Sequence, residues 1–163
     1  MYRKLLIAID PEDDGEGERA LKVAMDLLDE KGEMHLASVY NPDGGGFFPH
    51  VSGEAPEEKE TEVKELLDGL VEKYLPPGWD VCQHVVAGSA GKKLVDLAGQ
   101  LCADLMLLVS RGSSDRWRLR RATVEYVAVS APCPVLVLPS LEKSGQETGE
   151  KREQREKRGE PDS

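Results

Sequence analysis

The chain reads as one α/β domain, a five-stranded parallel sheet with helices on both faces. Three observations predict it. Apolar runs of strand length alternate with segments whose apolar residues recur at three and four positions. The runs over residues 4–9 and 104–109 are nearly continuous, as strands covered on both sides must be. A length of 163 residues suits one domain with a real core.

The first strand, residues 4–9, stops at Asp10-Pro11, because proline disfavours helical geometry at the residue before it. A helix is expected over residues 16–30, with Ala20, Leu21, Ala24, Leu27 and Leu28 on its stripe and Lys31-Gly32 as its stop. Residues 34–40 form the second strand. Asn41-Pro42-Asp43-Gly44-Gly45-Gly46 then opens a long loop to about Pro56. The second helix covers residues 57–74, with Val63, Leu66, Leu67, Leu70, Val71 and Tyr74 on one stripe, and Pro76-Pro77-Gly78 ends it.

Residues 80–87 make a third strand, and Gly88-Ser89-Ala90-Gly91 leads into a third helix striped by Leu94, Val95, Leu97, Ala98 and Leu101. The fourth strand, residues 104–109, is the most apolar and delivers the chain into a loop beginning at Val109-Ser110-Arg111-Gly112. Thr123 is the expected N-cap of a short helix carrying Val124, Val127 and Ala128. Pro132-Cys133-Pro134 breaks it before the fifth strand, Val135-Leu136-Val137-Leu138. The domain is expected over residues 1–140. Residues 141–163 offer almost nothing to bury, so a solvated, disordered tail or an arm that folds on a partner is expected.

Composition excludes several functions. A net charge of −10 disfavours a general nucleic-acid binder, which needs a clustered basic face. No run of about 18 apolar residues exists, so no membrane insertion is expected. The short N-terminal apolar run meets Asp10 rather than a cleavage site, and the expected location is the cytoplasm. Cys82, Cys102 and Cys133 lack metal or redox spacing and are expected as small apolar thiols in or near the core. His35, His50 and His84 also lack ligand spacing, so no metal site is expected.

The motifs that would carry catalysis are missing. Gly88-Ser89-Ala90-Gly91-Lys92 has two residues between its glycines and Lys93 after the lysine, so it is not a phosphate-binding P-loop. No dinucleotide fingerprint follows the first strand, and no nucleophile elbow exists. An enzyme is not expected. Glu12-Asp13-Asp14 has two readings, oxygen ligands for magnesium or acidic residues favoured at a helix start.

The most informative stretch is residues 110–123, where Arg111, Arg116, Arg118, Arg120 and Arg121 gather in an otherwise acidic chain. Guanidinium groups grip phosphate or carboxylate in a bidentate way. The stretch begins at a strand's carboxyl end, where ligands bind in open parallel sheets. A solvated charged surface is the competing reading.

These residues resemble the universal stress protein family. The likeness spans about residues 2–139: the opening strand ending in Asp10, Glu18-Arg19-Ala20-Leu21, the run from Ala103 to Gly112, Val124-Glu125-Tyr126-Val127, and the run from Ala131 to Leu138. The resemblance implies a Rossmann-like, adenine-nucleotide alpha-hydrolase-like sheet in the order 3-2-1-4-5. It further implies a nucleotide site, where retained, at Asp10, Pro11, Val39, Val109, Arg111, Gly112, Ala122, Thr123 and Val124. In that site Asp10 and Val39 take the adenosine contacts, and ATP or AMP, with Mg, is the ligand.

The family's nucleotide loop runs G-x-x-G, nine residues, then G-[ST]. Here Gly112, the nine residues 113–121 and Thr123 fit. Val109 and Ala122 stand where the family has glycines. A β-branched valine suits neither positive φ nor close backbone approach. The departures point toward the branch that does not bind ATP. The resemblance therefore implies a stress-response protein working as a regulatory homodimer through the fifth strand and an unknown protein partner, with weak or lost nucleotide binding. The alternative is an ATP- or AMP-binding sensor.

Overall fold

A computed structural model describes residues 1–12, 14–40, 56–110 and 118–139. Nine elements follow in order: β1 (Tyr2–Ala8), α1 (Asp14–Leu27), β2 (Leu28–Tyr40), α2 (Pro56–Tyr74), β3 (Asp80–Ala87), α3 (Ala90–Leu101), β4 (Leu105–Ser110), α4 (Arg118–Ser130) and β5 (Val135–Pro139). The strands form one sheet in the order β3-β2-β1-β4-β5, every neighbouring pair parallel. Both the fold class and the strand order agree with the expectation.

The sheet has a core on each face. On one, Leu5, Ile7 and Ile9 pack with Ala20, Leu21 and Ala24 of α1 and Val63, Leu67 and Leu70 of α2. On the other, Leu6, Ala8, Met106 and Leu108 pack with Leu94 and Ala98 of α3 and Val127 of α4. Consecutive Leu5, Leu6 and Ile7 are fully buried because β1 is central and sealed on both sides. That explains the continuous apolar run, since alternate side chains of a strand point to opposite faces. Leu66, expected on the buried stripe of α2, lies exposed.

Several boundaries differ from the sequence expectation. Helix α1 ends at Leu27, and the extended chain begins at Leu28 rather than residue 34. The residues after Leu28 are Asp29 and Glu30, whose charges are unfavourable at the negative end of a helix. Tyr2 pairs with Leu28 and Lys4 with Glu33, so β2 is irregular between them. Gly32 sits in that irregularity, where an added Cβ would lie 2.6 Å from Leu28 Cγ and 3.0 Å from the Arg3 carbonyl oxygen.

Helix α4 starts at Arg118, so Thr123 lies inside it and is not its N-cap. Leucine, arginine and alanine, among the best helix formers, fill residues 118–122 and carry the helix back past Thr123. Ala128, expected on that helix's packed side, is exposed. Val109 and Ser110 belong to β4, paired with Leu138 and Pro139 of β5, and do not form a loop.

Two cysteines depart from the expected burial: Cys82 and Cys102 are exposed, and Cys133 is half-buried. Cys82 lies on the edge strand β3. Cys102 ends α3 in the left-handed conformation (φ 52°). Its backbone N–H closes the helix onto Gly99. The loop over residues 41–55 and the polar tail lie outside the described residues.

Two polar contacts tie distant elements. Asp104 Oδ2 accepts the N–H groups of Arg3 and Lys4, each at 3.0 Å, joining the starts of β4 and β1. The Arg19 guanidinium donates to the Pro139 carbonyl, joining α1 to the end of β5.

The crowding at Gly32 gives a direct test. Gly32→Ala should destabilise the domain by about 1–3 kcal/mol, because buried Leu28 must shift to admit the methyl. The expected readout is a lower urea midpoint at unchanged slope. An unchanged midpoint contradicts the close approach.

Candidate functional site

In an open parallel sheet, ligands bind beyond the carboxyl ends of the strands, where strand order reverses. Here that point lies between β1 and β4, since β2 and β3 extend to one side of β1 while β4 and β5 extend to the other. A pocket opens there, lined by Ala8, Ile9 and Asp10 after β1, by Glu16, Gly17 and Ala20 of α1, and by Val109 of β4. Asp10 and Val109, 99 positions apart, therefore meet as the family resemblance requires.

The backbone holds Asp10 in place. The Ile9 N–H donates to the Ala37 carbonyl at 3.0 Å, and the buried Ser38 hydroxyl donates to the Ile9 carbonyl at 2.7 Å. Asp10 Oδ1 then accepts the Glu12 N–H at 3.1 Å, closing a small turn over Pro11, which is itself buried. This is the Asx turn that short acidic side chains favour. The carboxylate is thus carried at the end of a fully packed strand rather than on an independent loop.

The other expected site residues distribute less tightly. Val39 is 1% exposed, with its side chain in the core beneath α3 and α4. Any ligand must therefore meet it through its backbone. Val124 packs partly against that same core. Ala122 is exposed and Thr123 half-buried, both in the first turns of α4. Arg111 and Gly112 lie outside the described residues, as does Arg116.

Val109 is more ordinary than the sequence pattern suggests. Among the described residues Cys102 is the only non-glycine at positive φ, so Val109 keeps normal extended geometry. Its side chain packs partly against the core on the α1 and α2 face. Backbone strain is therefore not its effect. Its side chain instead adds bulk to the pocket lining beside the end of β1 and α1. As bounded by the described residues, the pocket holds about 20 Å³, and a single water needs roughly 10–15 Å³. Among the described residues its ionisable lining is Asp10 and Glu16.

Sequence reasoning missed one polar cluster. His35 Nδ1 lies 2.9 Å from His84 Nε2, and His35 Nε2 lies 3.2 Å from Glu33 Oε2. The histidines are 49 residues apart and have no ligand spacing. Strand parity was the available signal, but using it requires the β2–β3 register. Among the described residues no three His, Cys, Asp or Glu side chains form a metal-holding group. No described helix is long and apolar enough to cross a membrane.

Comparison with known proteins agrees with this geometry. The family described as Universal stress protein matches residues 1–139. The fold is similar to that of a universal stress protein from Archaeoglobus fulgidus, with 20% identity, a TM-score of 0.60, and coverage of 84% of this chain and 93% of that one. A universal stress protein from Archaeoglobus fulgidus in complex with dAMP is 21% identical at TM-score 0.58, covering 83% of this chain and 97% of that one. A universal stress protein in complex with cAMP is 22% identical at TM-score 0.54, covering 85% and 97%.

The helical setting of Ala122 has a measurable consequence. Restoring the family glycine by Ala122→Gly should cost about 1 kcal/mol of stability, because glycine is the poorer helix former at an exposed position. Urea unfolding should show the loss. A neutral or stabilising result contradicts helical geometry at this residue.

Proposed function

Because this chain belongs to the universal stress protein family, we propose that it acts in the cytoplasmic stress response as a regulatory homodimer with weak or lost nucleotide binding. One observation carries this reading. At the switch point, where a nucleotide would enter, the side chain of Val109 lines the pocket beside Asp10 and Glu16, in the place of a family glycine. A phosphate-binding site calls for close backbone approach, and a valine side chain in the place of glycine keeps backbone and phosphate apart. The work assigned is contact with a partner protein, with no catalytic step.

Dimerisation rests on β5. Among the described residues it is an edge strand of the sheet, and its Val135, Leu136, Val137 and Leu138 are all half-buried, leaving apolar surface in reach of a partner. Two copies related by a two-fold axis satisfy such an edge with the same patch on each.

A second reading has its own support. Gly112, the nine residues 113–121 and Thr123 keep the family spacing, and two relatives of similar fold are described in complex with dAMP or cAMP. In that reading ATP or AMP, with Mg, is held through Asp10, the Val39 backbone, Gly112 and Thr123, and the protein is a nucleotide sensor.

The two readings separate on bound nucleotide. Denaturing the purified protein should release no adenine nucleotide in chromatography of the supernatant. One equivalent per chain overturns the proposal. In calorimetric titration with ATP, Val109→Gly should bind at least about tenfold more tightly than the parent, a gain of about 1.4 kcal/mol. Equal affinities contradict the role given to the valine. Leu136→Lys should convert the dimer to monomer in analytical ultracentrifugation, and a variant that stays dimeric contradicts the assignment of β5.

A further inference from the structure

The cluster on β2 and β3 lies apart from the switch point. In the β2–β3 register His35 stands beside Cys82, and Ala37 beside His84. The two histidines are therefore diagonal neighbours on the face covered by α3. Their rings are 23° from parallel with centroids 5.2 Å apart, and His35 is 5% exposed.

Proton positions follow from the partners. Glu33 Oε2 accepts from His35 Nε2, so that nitrogen carries a hydrogen. The same carboxylate oxygen pairs with Lys4 Nζ at 3.3 Å. A neutral His35 then presents the lone pair of Nδ1, and His84 Nε2–H donates into it across 2.9 Å. The result is a chain running Lys4, Glu33, His35, His84. One added proton, on His84 Nδ1, leaves the bond between the rings intact. A second proton makes both facing nitrogens donors with no acceptor between them, and the bond fails.

The surroundings offer the second charge no help. Beside the pair on this face stand Glu33, already shared with Lys4, and the exposed thiol of Cys82. Asp104, at the start of β4, is engaged by the N–H groups of Arg3 and Lys4. Helix α3, packed over this face, turns Leu94 and Ala98 inward, with Leu97 and Leu101 half-buried. Its Lys92 and Asp96 are exposed, and the Lys93 stem runs along Gly88. Burial, and then the charge of His35, push the His84 pKa below its ordinary value. Hydrogen bonds from His35 and from Lys4 keep Glu33 ionised to lower pH than an ordinary carboxylate.

Strand β3 is the sheet edge on this side, and none of its residues is fully buried. A strand so held opens more readily than the sheet centre. We propose that the His35–His84 hydrogen bond is an acid-sensitive latch that fastens β3 to β2 at neutral pH and releases it when both rings become charged.

The direction in pH follows from linkage. The unfolded or opened segment binds a proton on each histidine near pH 6.5, whereas the closed pair resists the second. The latch therefore contributes fully above about pH 6.5 and is lost as pH falls below that value. Each proton withheld raises the opening constant by up to about tenfold per pH unit.

Hydrogen exchange tests this on the intact chain. After correction for intrinsic rates, amides of β3 should lose protection about tenfold between pH 7 and pH 5.5, while those of β1 and β4 hold. His84→Gln, which keeps a donor but cannot titrate, should flatten that dependence. Constant β3 protection, or the same fall in the variant, overturns the proposal. Should the variant not fold, the wild-type imidazole NMR titration decides. Two separated steps for the pair support the latch, and independent ordinary titrations of both rings overturn it.

Discussion

The whole structure depends on burying one strand from both sides. Leu5, Leu6 and Ile7 are each sealed from water, so β1 contributes to two cores at once and needs a helical layer on each face. That requirement sets the parallel sheet, its helical crossovers, and the central place of β1 between β2 and β4. It also decides where chemistry is placed. Within β1 no polar side chain can be fully buried cheaply, so the first carboxylate the strand presents is Asp10, just past its carboxyl end. The candidate site is thus a consequence of core formation: where the double burial stops, the strand order reverses, and polar residues reach the surface together.

What the sequence revealed follows from the same cause. Residues 5–9 and 105–109 are apolar without interruption because both faces are covered, so these strands were legible from composition alone. Family-level resemblance supplied the strand order, which periodicity cannot give. Boundaries were harder to read where helix and strand propensities compete. The stretch from Leu28 to Gly32 has helical spacing but acidic residues at the wrong end of a dipole, and tertiary pairing with Tyr2 and Lys4 draws it into β2. Residues 118–122 form helix through intrinsic propensity, which displaced Thr123 from the cap position. His35 and His84 were invisible as a pair because contact between them exists only through the β2–β3 register.

The sequence said more about where the pocket lies than about how it works. Asp10 and Val109 do meet at one pocket. The sequence argument against valine invoked positive φ, yet Val109 is an unstrained strand residue paired with Leu138. Its consequence is therefore volumetric. That distinction matters, because strain would be relieved only by glycine, whereas bulk is relieved in proportion to the side chain removed. Val39, expected beside an adenosine, keeps its side chain in the core and has only backbone to offer. The pocket thus joins Asp10 to a valine that stands in the place of a family glycine.

The central proposal is that the bulk of Val109 keeps nucleotide out of the switch point. An amide NMR titration with ATP, followed at Ile9, Asp10 and Val109, tests it most directly. The account predicts shifts that remain small and unsaturated into the millimolar range. Saturating shifts at these three amides with a dissociation constant in the micromolar range would contradict it.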